Sequence, residues 1–425
     1  MKKVGVALLG LGIVGGGTYE ILKKNREHFK HTQGLDIEVR HVLEKNVKRC
    51  EDLGVDLSIV STDIEKVVND PNTQIVAEFF GGIEPAKTFL IKALKSGKSI
   101  VTSNKELFSK HWAELERAAK EGNAGLYFEA SCVGGVPIIR TITEGMQGNR
   151  ILELKGIING TTNYILSGMS QNGTPYDEAL KSAQELGFAE FDPTSDVDGF
   201  DATYKLSILS SLCYHRNVPI EKIYREGIRN ISVSDITIGK ELGMTLKLLA
   251  ISKCVGDKVE ARVHPAFVPG THPLAAVSES FNAVYLKGDS VGDIMLYGRG
   301  AGALPTGSAI VSDIIFAAKQ SEHARYPYME AEASCGEFVS DFSTKYYIRL
   351  SASDEEGTLG RIAGVFGKNN INLLSVIQRN PTKQNSVPIV FVTSTTKEST
   401  INKALDEIRK LAGVEGIRSV IRVED

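Results

Sequence analysis

Cysteine is scarce in this chain: five residues in 425, at positions 50, 132, 213, 254 and 335, with no CxxC pair. An odd number at such wide spacing excludes a disulfide framework and a structural zinc site. Positive charge is not in excess either. Lys and Arg total 49 against 52 Asp and Glu, a formal charge of −3, so bulk electrostatics gives no route to nucleic acid. No apolar run reaches the ~20 residues that span a bilayer, so no membrane role is expected. The opening MKKVGVALLG has two lysines and a short apolar stretch, as a signal peptide would. It runs straight into GLGIVGGG without a small-residue cleavage site, so a first β-strand and a cytoplasmic location are expected. The Asn-Gly-Thr triplets at 159–161 and 172–174 match the glycosylation pattern, which carries no weight without secretion.

What the chain has in quantity is glycine, 41 residues, and with it many tight turns or close backbone approaches. Its length implies two to four domains. Over 1–135, short β-branched runs (Val4–Leu9, Ile37–Leu43, Gln74–Phe80, Ser99–Val101, Leu126–Glu129) alternate with helical patterns at Gly15–Phe29, 84–96 and 105–121. That alternation predicts a parallel sheet covered by helices. From 136 to 303 the pattern becomes α+β, with helices expected at 175–186, 201–215 and 238–250 and strands at 151–158, 259–268 and 281–288. The apolar helical segment 304–320 is expected to return to the first domain. Residues 321–344 read as a linker, and 345–425 spell βαββαβ, the order of a ferredoxin-like module.

Gly10-Leu11-Gly12-Ile13-Val14-Gly15 follows the first strand and opens a helix. Gly10 permits the tight turn, Gly12 lets backbone approach a pyrophosphate, and Gly15 permits close packing. The helix start, with the Ile13 and Val14 amides, offers N–H donors to the anion. A GxGxxG string alone is weak; at residue 10, between strand and helix, it predicts dinucleotide binding. The choice between NAD and NADP stays open. After the second strand, Glu44 suits a ribose 2′-hydroxyl, whereas Lys45, Lys48 or Arg49 suits a 2′-phosphate. A solvated charged loop explains any one of them equally well.

The segment 183–205, AQELGFAEFDPTSDVDGFDATYK, closely resembles the homoserine dehydrogenase signature: AxxxGfAE, DPxxDvxGxD, and a lysine four residues after the last aspartate. Supporting stretches are GGIEPA (81–86), VTSNK (101–105), FEASCVGGVPII (128–139), GIINGTTNYIL (156–166) and GRGAGALPTGSAIVSD (298–313). The resemblance covers roughly 1–320. Beyond it, 346–378 resembles an ACT domain, which in this family commonly binds an amino-acid effector, here expected to be threonine. The fold implied is a Rossmann-type doubly wound α/β domain, an α+β catalytic and dimerisation domain, and a C-terminal ferredoxin-like ACT domain.

The resemblance implies NAD(P)-dependent interconversion of aspartate 4-semialdehyde and homoserine by a homodimer or homotetramer. It makes Lys205 the proton donor and sets Lys105 beside nicotinamide and substrate. It assigns Glu190 and Asp201 to the substrate ammonium, with Asp196 in support, and it adds Ser103, Lys105, Gly187 and Gly302 to the cofactor site. Thr161 or Thr162, at a strand-to-helix turn, suits the substrate carboxylate, although N-capping explains them equally. Glu129 with the carbonyls of Cys132, Gly134 and Val136 resembles the family's Na+ site, oxygen donors suiting a hard cation. Without the signature, Asp201 and Lys205 would read as an ordinary i,i+4 pair. Two departures stand out: Arg299 where the family usually has proline, and Glu356 just before Gly357 in the first ACT loop. Other ACT-bearing dehydrogenases, of the phosphoglycerate or prephenate type, lack the 183–205 signature. A non-catalytic sensor would have no need of an intact Lys105, Glu190, Asp201 and Lys205.

Overall fold

Val4, Val6 and Leu8 on one side of the first strand, and Ala7 and Leu9 on the other, are all buried, as a strand covered on both faces requires. The computed structural model describes residues 1–330, 337–380 and 386–425, and it puts that strand, β1 (Lys2–Leu9), inside a six-stranded parallel sheet. With β2 (Leu35–Leu43), β3 (Val60–Ser61), β4 (Ile75–Glu78), β5 (Ser99–Thr102) and β6 (Leu126–Tyr127), the order is β3-β2-β1-β4-β5-β6. The strand order reverses beside β1, so a ligand crevice opens at the carboxyl ends of β1 and β4.

The expected helix 15–29 is two helices, Ile13–Lys24 and Arg26–Gln33, hinged at Asn25 (φ −103°, ψ 12°). Helix Ala303–Lys319 returns to lie against the first of them. Their backbones touch. A Cβ at Gly17 would come within 2.3 Å of the Ala303 carbonyl oxygen, and one at Gly307 within 2.9 Å of the Thr18 nitrogen.

The second sheet joins β7 (Ile151–Ile157), β9 (Met244–Val255), β10 (Lys258–Pro269), β11 (Phe281–Gly288) and β12 (Gly292–Arg299), with the two-residue β8 (Tyr224–Arg225) and β13 (Glu337–Phe338) beside β10. Here the expected helix 238–250 is wrong. A helix ends at Glu241, Gly243 turns at φ +74°, and Met244 begins β9. Residues 246–252 are buried without interruption, so a strand covered on both faces shows no alternation and mimics a buried helix. The 321–344 stretch, expected as a linker, carries anchors. Tyr326 packs edge-on to Trp112 with centroids 5.1 Å apart, and its amide donates to Glu116 at 3.0 Å. Residues 331–336 lie outside the described residues.

The C-terminal βαββαβ comprises β14 (Ser343–Ser353), helix Thr358–Lys368, β15 (Leu373–Gln378), β16 (Ser386–Thr393), helix Glu398–Ile408 and β18 (Val414–Val423), with β17 (Thr396–Lys397) at the side. The strand order β18-β14-β16-β15 is that of an antiparallel ferredoxin-like sheet. This makes the fold the expected one: a Rossmann-like sheet, a mixed catalytic sheet and an ACT domain.

β18 also pairs in parallel with β10, Ala266 opposite Arg422 and Phe267 opposite Val423, which fuses the two sheets into one. Beneath that seam the fully buried Arg262 donates to Glu260 at 2.9 Å and to Glu424 at 2.5 Å. Burial alone would raise the Glu424 carboxyl, but the Arg262 guanidinium outweighs it and brings it down to about 2.

Because that folded-state value lies below the ordinary carboxylate range, the pair's contribution is complete above that range and is lost as pH falls towards 2. Glu424→Ala, which leaves a buried guanidinium half-paired, should cost ~3 kcal/mol. The measurement is a thermal midpoint at neutral pH and an acid-unfolding curve. Superimposable curves for parent and variant would show that the seam does not rest on this pair.

Candidate active site

The carboxyl ends of the first sheet, the end of β7 and helix Phe200–Tyr214 enclose a cleft of about 640 Å³. Its nucleotide side is built on glycine. Gly10 turns at φ +98°, and a Cβ at Gly15 would come within 2.3 Å of the Gly10 carbonyl oxygen. Gly12 has open space where its Cβ would be. The helix starting at Ile13 has no side-chain cap, so its first amides are free for an anion, and Ile13 and Val14 line the cleft. These residues fit a dinucleotide pyrophosphate.

The β5 turn places Ser103 and Lys105. The Thr102 hydroxyl donates to Glu78 at 2.6 Å and accepts the Asn104 amide at 3.0 Å. Asn104 caps the next helix through Leu107 N and donates to the carbonyls of Phe80 and Gly82. Burial pushes the fully buried Glu78 carboxyl up to about 7, and its bond to Thr102 anchors the turn from below.

Opposite, Asp201 sits in the first turn of helix Phe200–Tyr214 after Gly199 at φ +82°. Its Oδ1 is 3.1 Å from Lys105 Nζ and its Oδ2 is 2.7 Å from Lys205 Nζ. Lys205 Nζ also donates to the Ile158 carbonyl at 2.9 Å. Asn159 Nδ2 bridges two carboxylates, Asp196 at 2.7 Å and Asp201 at 2.8 Å. Burial would raise Asp201, yet the two ammonium groups hold it well below the usual range. Asp196, half-buried, is raised by desolvation and by the charge of Asp201, while the Asp201 charge raises Lys105.

The structure thus brings Lys105, Lys205, Asp201, Asp196, Thr161, Gly187, Gly302 and the glycine-rich loop to one cleft. Glu190 is not among its walls. It is exposed on the rim loop, and only its carbonyl is engaged, by Gln184 at 3.1 Å. The Thr161 hydroxyl donates to the Phe188 carbonyl of the same loop. Thr162 is buried and bonds Asn159, so it belongs to the helix cap. Arg299 lines the cleft with its guanidinium 5.3 Å from the Phe281 ring centre.

Around the turn Glu129–Val136, both Glu129 oxygens accept backbone amides, of Ile139 at 2.8 Å and Arg140 at 2.9 Å. Val133 and Gly134 are both left-handed (φ +56° and +55°). Cys132 is buried, and the Val136 carbonyl accepts Ile138 N at 2.8 Å. Among the described residues no group of three or more His, Cys, Asp or Glu side chains could hold a metal.

Sequence reasoning missed Asn159 and Glu78. Asn159 was legible as an N-cap, since an Asn stands between a strand and a helical run. Its second task, bridging two acids 37 and 42 residues away, leaves no local trace.

Three family models match this chain: homoserine dehydrogenase over 137–315, homoserine dehydrogenase NAD binding domain over 10–129, and ACT domain over 346–413. A homoserine dehydrogenase of Bacillus subtilis (strain 168) is 38% identical over 437 aligned positions, covering 100% of this chain and 99% of the relative. The chain belongs to the homoserine dehydrogenase family. It is therefore an NAD(P)-dependent oxidoreductase. The crystal structure of a homoserine dehydrogenase from Thiobacillus denitrificans matches it with a TM-score of 0.93 at 38% identity, over 100% of this chain and 99% of that one. A hyperthermophilic archaeal homoserine dehydrogenase in complex with NADPH matches 74% of this chain and 97% of its own length, with a TM-score of 0.64 at 28% identity.

Asn159→Ala should remove both the cap and the carboxylate bridge, lowering stability by ~1–2 kcal/mol. Asn159→Ser, which can cap but cannot bridge, should recover only part of that in a denaturant titration. Full recovery by serine would show that the bridge contributes nothing.

Proposed function

We propose that the chain interconverts L-aspartate 4-semialdehyde and L-homoserine, within the biosynthesis of threonine, methionine and isoleucine. One observation carries this reading: Lys105 and Lys205 converge on the single buried carboxylate of Asp201 in the cleft beside the dinucleotide loop. The nicotinamide cofactor, when bound, supplies the hydride. The chain's own residues position the reactants and manage the proton.

In the reducing direction Lys205, fixed by Asp201 and the Ile158 carbonyl, donates a proton to the oxygen of the aldehyde as its carbon gains hydride. In the reverse direction the neutral amine receives that proton. Lys105 is held as an ammonium by Asp201 and adds positive potential where the alkoxide develops. Asp201 is already shared by two lysines, so the substrate ammonium falls to the free oxygen of Asp196 and to Glu190, brought in from the rim. Thr161, released from Phe188, is the donor for the substrate carboxylate.

A structural Na+ fits the turn made by Glu129 and the carbonyls of Cys132, Gly134 and Val136. Burial, reinforced by the charge of Asp313, pushes the Glu129 carboxyl up to about 7, a cost that a hard cation would relieve. We further propose threonine as the effector of the ACT domain. The domain touches helix Val233–Glu241 of the catalytic domain through Arg349, which donates to Asp235 at 2.6 Å beside the Tyr347 hydroxyl. Exposed Met295 and Tyr297 on β12, and Leu374 and Val376 on β15, lie on the two outermost strands and support a homodimer or homotetramer. Among the described residues no helix is long and apolar enough to cross a membrane and the four cysteines are free, and we place the protein in the cytoplasm.

Purified chain with homoserine and NAD or NADP should show turnover at the nicotinamide absorbance, and silence with both cofactors would sink the proposal. Lys205→Ala should lower kcat by roughly 10²–10⁴-fold with cofactor binding retained. A near-parent kcat would reduce Lys205 to a structural partner of Asp201. Threonine should inhibit the parent, and Arg349→Ala should weaken that inhibition several-fold while leaving uninhibited turnover within about twofold. Equal inhibition of the two would place the coupling elsewhere.

A further inference from the structure

The glycine-rich loop and the end of β2 are tied together by one side chain. Glu44, the residue directly after β2, has a carboxylate that accepts three backbone N–H groups: Leu11 at 2.7 Å on Oε2, and Lys45 and Asn46 at 2.9 Å each on Oε1. Leu11 stands between Gly10 and Gly12. The carboxylate is therefore clamped to the phosphate loop, at the strand end where a doubly wound sheet receives the adenosine ribose.

The cations nearby are less well placed. Arg49 is also tied, its Nε donating to the Leu11 carbonyl at 3.0 Å. Its guanidinium lies along the first helix, so that a Cβ at Gly16 would come within 2.9 Å of Nη2. Lys48 is exposed and faces Asp52 at 3.6 Å, and Lys45 is exposed.

We propose that Glu44 sets cofactor choice in this chain by accepting the 2′-hydroxyl of the adenosine ribose, which makes the enzyme NAD-selective. The inference rests on the dinucleotide reading of the glycine-rich loop. Three amides leave one of the carboxylate's four lone-pair sites open, on Oε2, and a single hydroxyl donor fills it. A 2′-phosphate brings like charge against the same oxygens. The carboxylate cannot swing aside without leaving three amides unmatched, one of them in the loop that must hold the pyrophosphate. The Nε of Arg49 is already held by the Leu11 carbonyl, which keeps its guanidinium along the first helix.

The test is equilibrium binding of NADH and NADPH to the full chain, followed by nicotinamide fluorescence, alongside kcat/KM with NAD and NADP. The parent should favour NADH at least tenfold in Kd, with the same order in kcat/KM. Glu44→Gln keeps an acceptor oxygen and removes the charge, so it should narrow the binding ratio at least tenfold, chiefly through tighter NADPH. Equal or tighter NADPH binding by the parent would overturn the proposal, as would an unchanged ratio in Glu44→Gln. Failure to bind either nucleotide would overturn both this and the dinucleotide reading. The ratio is read without turnover, so a chain that binds NADH selectively yet leaves homoserine untouched loses only the substrate reading.

Discussion

Everything in the cleft turns on one buried carboxylate shared by two ammonium groups. Asp201 meets Lys205 from its own helix and Lys105 from the β5 turn of the other sheet. The ion triad is thus a mechanical joint between the nucleotide half and the catalytic half as well as an electrostatic centre. An isolated carboxylate at that depth would be protonated, and two unscreened lysines so close would repel. Together they leave one net positive charge facing the cleft, the sign that a developing alkoxide requires. Asp196, held by the same asparagine, sets a second carboxylate beside that charge.

Supporting layers hold that centre in place. Glu78 and Thr102 fix the turn carrying Lys105, and Asn159 fixes the acids relative to β7 and the helix that follows. Neither Glu78 nor Asn159 stands in the signature that identifies the family. Their contribution is geometric, since a misplacement of about 1 Å at the reacting atoms can cost 10²-fold in rate.

Much of this was legible in sequence because its causes are local. A glycine turn after a strand, a lysine four residues past an aspartate, and βαββαβ alternation each leave a pattern at short range. The strand at 244–255 did not, because complete burial erases the period-two signal, and a run such as Leu246 to Ile251 fits either template. Glu190 shows the opposite limit. Its motif was plain, yet its position on an exposed rim loop depends on the conformation of that loop rather than on residue type. The anchoring of Tyr326 beside Trp112 joins residues more than two hundred positions apart, which no window of sequence can show.

The parallel pairing of β18 with β10 also has a meaning in time. A chain made from its N-terminus produces β10 long before β18, and until then the stretch of that edge at Ala266 and Phe267 offers unpaired backbone groups to any passing strand. The buried Arg262 waits equally long for Glu424. Synthesis therefore leaves an interval in which the nucleotide half can be complete while the catalytic sheet is not, and the strand that closes the ACT sheet is the same one that ends this exposure.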